Sequence, residues 1–376
     1  MNKSLKLDKE LAEYRQNFYS IYHSKIVPIF AEFEEERKKK LSWLIIFLVI
    51  IGIILVSIIA FDFSYLFRDY YIAGGLFAFV PMIVGGGLIA SYFLVTSFNS
   101  KFVKKIKVSC MQKVTEAFGN MKWYDQYKLI SDDDLSISQI FALYNRREHY
   151  DSFKGTYKGV DFEIEESCLQ HESGSGSRRN TIDVFRGVII KVPANKTVRG
   201  ITIVATKGDK NIRNRDVTFG IVLFVIFLQC LRFASYETLP IAIVVGIVLV
   251  VILFFGSKLF SKKHGIVLNE IKLEDPEFSK KYRAYSTDQV EGRYLITPAF
   301  MERFKNLQTA FGSKNAKCSF CGNSLIFAIS TNKNLFEIGN LFHSIENPKQ
   351  MTEFFNELSS ILALIDYFKL DEKTGL

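Results

Sequence analysis

Three groups of side chains in this chain have types and spacings that can do chemistry. The first is Cys318-Ser-Phe-Cys321, the spacing of half a zinc site or of a redox dithiol. Zinc takes four ligands, and neither a second CxxC nor a histidine pair follows; His343 is the one nearby candidate ligand. A redox CxxC sits where a strand meets a helix and carries a lowered thiol pKa. Here Gly322-Asn323 follows, a two-residue hairpin signal, and then a second apolar run, Leu325–Ile329. Residues three apart on a strand point to opposite faces, so both thiols read as structural. The second group is Asp132-Asp133-Asp134 behind Ser131. Carboxylates bind hard cations, but Ser and Asp also open helices by capping free N–H groups, and no second ligand group accompanies this cluster. The third group is cationic. Lys38, Lys39, Lys40, Lys104, Lys105, Lys207, Lys210, Lys262 and Lys263 stand beside apolar runs, where they can meet anionic lipid headgroups. The five histidines are isolated, and the chain has no phosphate loop, nucleophile elbow or HExxH. No catalytic, cofactor-binding or metal-ligating residue is assigned, and no cofactor is expected.

The elements that must position these groups are dominated by four apolar stretches in two pairs. They run from about 43 to 61, 72 to 98, 217 to 233 and 239 to 255. Each is close to the roughly 20 apolar residues that cross a bilayer core. The first begins after about forty residues and lacks a small-residue cleavage site, which predicts a retained anchor rather than a cleaved signal. The expected division is a cytoplasmic helical segment (1–41), a first transmembrane hairpin (42–98), the first part of a cytoplasmic domain (99–216), a second hairpin (217–256) and the second part of that domain (257–376). Gly86 with Ala90, and Gly87 with Ser91, have the small-xxx-small spacing that lets helix backbones approach, a route to a homo-oligomer.

Charge orients this plan. The net charge is +9, from 48 Lys and Arg against 39 Asp and Glu. The cations cluster at all four outer span ends, while the connecting loops carry only Arg68 and, in or beside the second, Arg232. By the positive-inside rule both termini and the whole folded domain face the cytoplasm. A nucleic-acid partner is not expected, because the cations mark membrane flanks rather than one face of a domain. Five scattered cysteines in a reducing compartment predict free thiols.

Outside the spans the patterning is mixed. Leu7, Leu11, Tyr14, Phe18 and Ile21 form a helical stripe, and Pro28 is expected to kink or end that helix. Helical spacing resumes from Lys101 to about Asn145, interrupted at Ser131–Asp134. Val160, Phe162 and Ile164 alternate with Asp161, Glu163 and Glu165, a strand with its carboxylates toward solvent. Strand-like runs follow at Ile182–Val192, Val198–Thr206 and Ile266–Leu273. Thr297-Pro298 opens a helix that buries Met301, Phe304, Leu307 and Phe311, and a last helix runs from about Thr352 to Phe368.

Two blocks resemble a known family. Tyr19–Lys40 precedes the first pair of apolar runs, and Leu273–Phe304 follows the second. Together they are similar to the bacterial membrane-protein family catalogued as domain of unknown function 3137. Fainter similarity covers Phe153–Gly159, Phe185-Arg186-Gly187 and Leu335-Phe336-Glu337. The resemblance implies membrane attachment and no activity; relative to its two-span pattern, the second apolar pair looks like an insertion. The block's own residues read as a turn at Asp275-Pro276, a helix start at Thr297-Pro298 and core at Phe278, Tyr282 and Phe304.

The fold class expected is α+β: four transmembrane helices in two hairpins and a discontinuous cytoplasmic domain of about seven strands, similar in inventory to a pleckstrin-homology-like roll. The function expected is a scaffold or sensor of the bacterial inner membrane, multi-pass with both termini cytoplasmic, binding anionic membrane lipids or a protein partner. Alternatives are a transport or channel accessory built on the four helices and, third, a membrane-bound enzyme, since constellations formed in space leave no trace in sequence.

Overall fold

The computed structural model describes residues 15–66, 80–116, 118–157, 159–174, 179–209, 268–331, 336, 339–346, 352–362 and 365. The chain divides into two compact units, Met1–Trp123 with Asn334–Ser359, and Tyr124–Lys333 with Ser360–Leu376. The second apolar pair, 217–256, and the stripe residues Leu7, Leu11 and Tyr14 lie outside the described residues.

The first unit is built on two helices, α1 (Val27–Leu66) and α2 (Val80–Glu116). Both are long and apolar enough to cross a membrane. From Trp43 onward α1 turns Ile46, Val49, Ile50 and Ile53 outward, and α2 does the same with Met82, Leu88, Ile89 and Phe93. Where the two helices meet, a Cβ on Gly87 would stand 3.3 Å from Leu55, whereas Gly86 has open space beside it. The other ends of the helices have an ordinary core. Phe18, Tyr22, Ile26, Phe30 and Phe33 recur at helical spacing and are buried, as are Phe102, Ile106 and Cys110. Phe18, Phe118 and Phe355 form a ring cluster with centroids 4.9–6.0 Å apart.

Pro28 does not end the first helix. Helical residues 15–21 lead into a π-helical turn, Tyr22–Ile26, and α1 continues through the proline. Proline lacks an N–H, and its ring presses on the carbonyl four residues back. The π turn widens the helix at that point, with the Val27 N–H reaching Tyr22 O, so the rod stays continuous.

The second unit is an antiparallel sheet with short helices. Its elements are β1 (Asn120–Asp125), α3 (Asp132–Ser138), β2 (Arg146–Tyr157), β3 (Val160–Ser173), β4 (Asn180–Thr206), β5 (Asn269–Ile271), α4 (Pro276–Lys281), β6 (Tyr282–Ser286), α5 (Gln289–Leu295), α6 (Pro298–Ala310) and β7 (Ala316–Ser330). The strand order is β1-β2-β3-β4-β6-β5, with β7 also paired to β4. β4 is the spine: β3 lies along its first half, β6 along its last residues, and β7 along both. Both faces are covered. On one, Ile130, Leu135, Ile140 and Phe141 pack with Leu169, Ile189, Cys321, Ile326 and Ala328. The alternate positions Phe320 and Phe327 meet Phe300 and Phe304 of α6, and Phe278 and Tyr282 stack at 4.4 Å beside them.

Seven strands are present among the described residues, but they are not the seven the patterning predicts. Gly322-Asn323 makes no hairpin: β7 runs straight through it. Gly322 has φ +54, and the register against β4 jumps there from Pro193↔Ser324 to Val198↔Gly322 to Ile201↔Cys321. The turn residues stand opposite a bulge whose extra residues belong to β4 between Pro193 and Ile201, and Thr197 Oγ1 donates across it to Asn323 Oδ1 at 2.7 Å. For the same reason Ile182–Val192 and Val198–Thr206 are one strand, its register shifting between Pro193 and Ile201. β1 and β6 make up the count. β1 lies where helical spacing is read through to Asn145; Gly119, at φ +81, ends the helix first. Asp275-Pro276 is a helix start rather than a turn, because the Asp275 carboxylate caps the N–H groups of Glu277 and Phe278. α1 likewise continues past Phe61 into the predicted loop.

Candidate functional site

The cations at the foot of α1 and α2 are the first candidate site, and the structure sorts them. Lys38 is exposed, 4.0 Å from Glu34, and Lys39 is exposed. Lys40 and Lys105 are committed within the protein. Both ammonium groups reach Glu36, at 2.8 Å each, and each lies 5.4 Å from a ring centroid on the other helix, Lys40 over Phe102 and Lys105 over Phe33. These bonds, first from Lys105 and then from Lys40, hold the Glu36 carboxyl below the usual range. The trio fastens α1 to α2 and leaves one net positive charge. Lys104 is exposed on α2 and Lys207 is exposed in the turn after β4; Lys210, Lys262 and Lys263 lie outside the described residues.

Arg37, one helical step away, is buried. Its Nε and Nη2 donate to Glu34 at 2.8 and 2.7 Å, and its Nη1 donates to Leu341 O at 3.1 Å. Glu34 also accepts the Ile345 N–H at 3.2 Å, and Asn99 Oδ1 on α2 accepts the Leu341 N–H at 2.9 Å. The pair thus grips the backbone of residues 341–345. Arg37 lowers the Glu34 carboxyl pKa against the opposing effect of burial.

The second unit holds a denser cluster that the sequence reading placed in solvent. Glu165 is fully buried, because the segment from Tyr127 to Asn145 folds over its face of the sheet. Its Oε1 receives Arg147 Nη2 at 2.6 Å and Ser167 Oγ at 2.5 Å and contacts His149 Nδ1 at 2.7 Å. Its Oε2 accepts the N–H groups of Leu129 and Ile130 at 3.1 and 3.0 Å. Arg147 Nη1 donates to Ile130 O and to Asp132 Oδ1. Burial pushes the Glu165 carboxyl up, but the Arg147 charge, Ser167, the Ile130 N–H and His149 outweigh it, and the net shift is downward. A carboxylate saturated by five partners is a poor proton acceptor; it works here as a latch on the covering segment. The signal for it lay in Arg147 and His149, alternate positions of the neighbouring strand on the same face as Glu165.

The aspartate run caps α3 as predicted: Ser131 Oγ accepts the Asp134 N–H at 3.1 Å. Asp132 pairs with Lys128 and Arg147, which overcome burial and hold it at about 2; Asp134 pairs with Lys191 at 2.7 Å. Among the described residues no three His, Cys, Asp or Glu side chains converge as a metal site requires. Cys318 and Cys321 are both buried, Cys321 in the cluster with Ile326 and Cys318 in phase with Phe320 on the other face. Burial raises both thiols, the reverse of an activated cysteine. Next to them Lys317, also buried, pairs with Asp209 at 2.9 Å.

The block Leu273–Phe304 is occupied by local structure. Asp275, Asp288 and Thr297 cap three successive helices. Glu291 accepts the N–H groups of Arg199 and Gly200, and Thr287 Oγ1 that of Ile201. A Cβ on Gly292 would stand 2.4 Å from Ile271. In the fainter match Phe185-Arg186-Gly187, Gly187 has φ +151, and a Cβ there would stand 2.0 Å from Ile329 O.

Comparison with known proteins returns one family and one structure. No curated protein matches. The crystal structure of the mycobacterial trehalose monomycolate transport factor A, TtfA, is similar over 66% of this chain and 89% of its own, at 9% identity and a TM-score of 0.32, a score at which a common fold is not shown. The family described as protein of unknown function, DUF3137, matches residues 183–370, half of the chain and inclusive of the second block. The chain belongs to the DUF3137 family.

Proposed function

We propose that this protein is a membrane-anchored scaffold whose sheet unit works at the cytoplasmic surface of the bacterial inner membrane. One observation carries the reading: the apolar halves of α1 and α2 present their side chains outward, Trp43, Ile53, Leu88 and Phe93 among them. Burying such side chains is worth roughly 1.5–3 kcal/mol each, and a lipid phase supplies that burial where the protein does not. In this reading 217–256 forms a second hairpin, both termini face the cytoplasm, and the second unit is a pleckstrin-homology-like roll in inventory only. Lys38, Lys39 and Lys104 meet anionic headgroups; Lys40 and Lys105 belong to the clasp on Glu36. The scaffold's partner is a protein or the lipid surface itself.

The test is retention and sidedness. The protein should stay with membranes through alkaline carbonate extraction. A cysteine placed at Asp69 should react with an impermeant reagent added outside intact cells, and one placed at Ser175 should not. Extraction by carbonate, or labelling at 175 from outside, overturns the reading.

A further inference from the structure

The bonds that hold residues 341–345 also fix their depth along α1 and α2, and every group involved belongs to the first unit. Asn99, whose Oδ1 accepts the Leu341 N–H, directly follows Phe98, the last residue of the second apolar run. Arg37, which donates to Leu341 O, stands six residues before Trp43, where the first run begins. The contacts of Leu55 with Gly87 and of Lys40 with Phe102 set the antiparallel pairing of the two helices, which puts Asn99 level with Trp43. The Leu341 backbone is therefore tied between the start of the apolar runs and the level of Arg37, about 9 Å further out. The headgroup layer on each side of a bilayer is roughly 5–7 Å deep, so the segment stands at that layer if the helices cross a membrane.

What the segment presents at that level is aromatic. Leu341 and Ile345 are buried, while Phe342 between them is 47% exposed and His343 and Ser344 are exposed. Asn340 Oδ1 accepts the N–H groups of Phe342 and His343 at 2.9 Å each, which closes the tip into a turn. Lys38, Lys39 and Lys101, all exposed, stand between the same two levels and suit an anionic surface. One exposed aromatic is ordinary where it meets water; beside headgroups it has an apolar phase within reach. We propose that the turn Asn340–Ser344 is an interfacial finger. Phe342 enters the boundary between headgroups and acyl chains, and His343 lies among the headgroups. The finger rests on the membrane reading above. It gives the Glu34–Arg37 pair a task beyond holding a loop, which is to set the depth at which Phe342 meets lipid.

The test is photocrosslinking of the full chain in its native membrane. p-Benzoylphenylalanine replaces Phe342, Phe47 or Tyr19 in turn, all of them exposed. Phe47 is an outward position of α1 and reports the membrane reading alone. Tyr19, roughly 35 Å from Trp43 along the same helical rod, is the water control. Lipid adducts should form at 342 and 47 and not at 19. Adducts at 47 with none at 342, or with no more at 342 than at 19, overturn the finger and leave the anchor standing. The absence of adducts at 47 overturns both. A protein adduct at 342 in place of lipid overturns the finger in favour of a protein partner. Combined with Glu34→Ala, the yield at 342 should fall while that at 47 holds; an undiminished yield overturns the part assigned to the Glu34–Arg37 pair.

Discussion

The two units solve one problem with the same pair of residue types and differ in how far they commit to it. In the first, Glu34 accepts a backbone N–H of a distant segment while Arg37 donates to a carbonyl of that segment. In the second, Glu165 and Arg147 do the same to residues 129–130. In each case a buried Arg–Glu pair supplies the segment's backbone with donor and acceptor together. The settings differ. Glu34 and Arg37 are three apart on one helix, so their pairing needs no distant element. Glu165 and Arg147 come from neighbouring strands and are completed by Ser167 and His149, so that pair exists only once the sheet has formed. A buried ion pair is weak evidence for stability, because desolvation offsets the attraction; breaking one by removing a partner is costly. The pairs are therefore best read as devices that fix where a segment goes.

The largest effect expected is at Glu165. Glu165→Ala takes the buried counter-charge from the Arg147 guanidinium, leaving only the half-exposed Asp132, and leaves two N–H groups without an acceptor, a cost of about 3–5 kcal/mol. Hydrogen exchange should show the Leu129 and Ile130 amides losing protection first. Replacing both partners with apolar residues, Glu165→Leu with Arg147→Met, should recover much of the loss. If the double variant is as unstable as the single, the pair is not a unit and the comparison fails.

Glu34→Ala comes next, at about 2 kcal/mol, lower because it strips one backbone N–H of its acceptor where Glu165→Ala strips two, and Arg37 keeps its bond to Leu341 O. Its signature is local: faster exchange at Leu341 and Ile345, with retention in membranes unchanged. Exchange that rises instead across the sheet would remove the distinction between the two pairs.

Acid should act on both in the same direction. Glu165 and Glu34 have folded pKa values lowered from an ordinary value of 4.5. A lowered carboxylate contributes stability that is present above the unfolded value and lost as pH falls through the folded one. Both units should therefore loosen below about pH 4.5, not between 5 and 8. Exchange at Ile130 and Ile345 followed from pH 7 to pH 3 checks this; Glu165→Gln should flatten the response at Ile130 and leave that at Ile345.

How much of this was legible depends on whether the signal is local. The first pair of apolar runs, the Ser131 and Thr297 caps and the α6 stripe depend on neighbours within a turn; those two runs lie on helices long and apolar enough to cross a membrane, and both caps and the stripe stand where they were read, whereas the Asp288 cap was not read. Gly322-Asn323 was misread because a left-handed glycine can stand opposite a bulge as well as in a hairpin, and only the partner strand decides between them. Glu165 was misread for a related reason. Alternation tells which residues share a face, not which face is covered, and the cover comes from residues 127–145.

The smallest effect sharpens the comparison from the other side. Glu36 carries as many cations as either latch, Lys40 and Lys105, but grips no distant backbone and stands partly in water. Solvent and salt screen such a pair, and its worth is typically no more than about 1 kcal/mol. Glu36→Gln should therefore shift thermal stability little, and the shift should shrink further at high salt. Two rings remain beneath the freed ammonium groups, Phe102 under Lys40 and Phe33 under Lys105, so the helices keep their contact. What changes is charge: a net +1 trio becomes +2 at the membrane flank. Binding of the full-length protein's flank to anionic headgroups, read as the salt needed to release a labelled anionic lipid from it, should rise in Glu36→Gln. A loss of stability as large as that of Glu34→Ala would make Glu36 a third latch and erase the difference between gripping a backbone and fastening two helices.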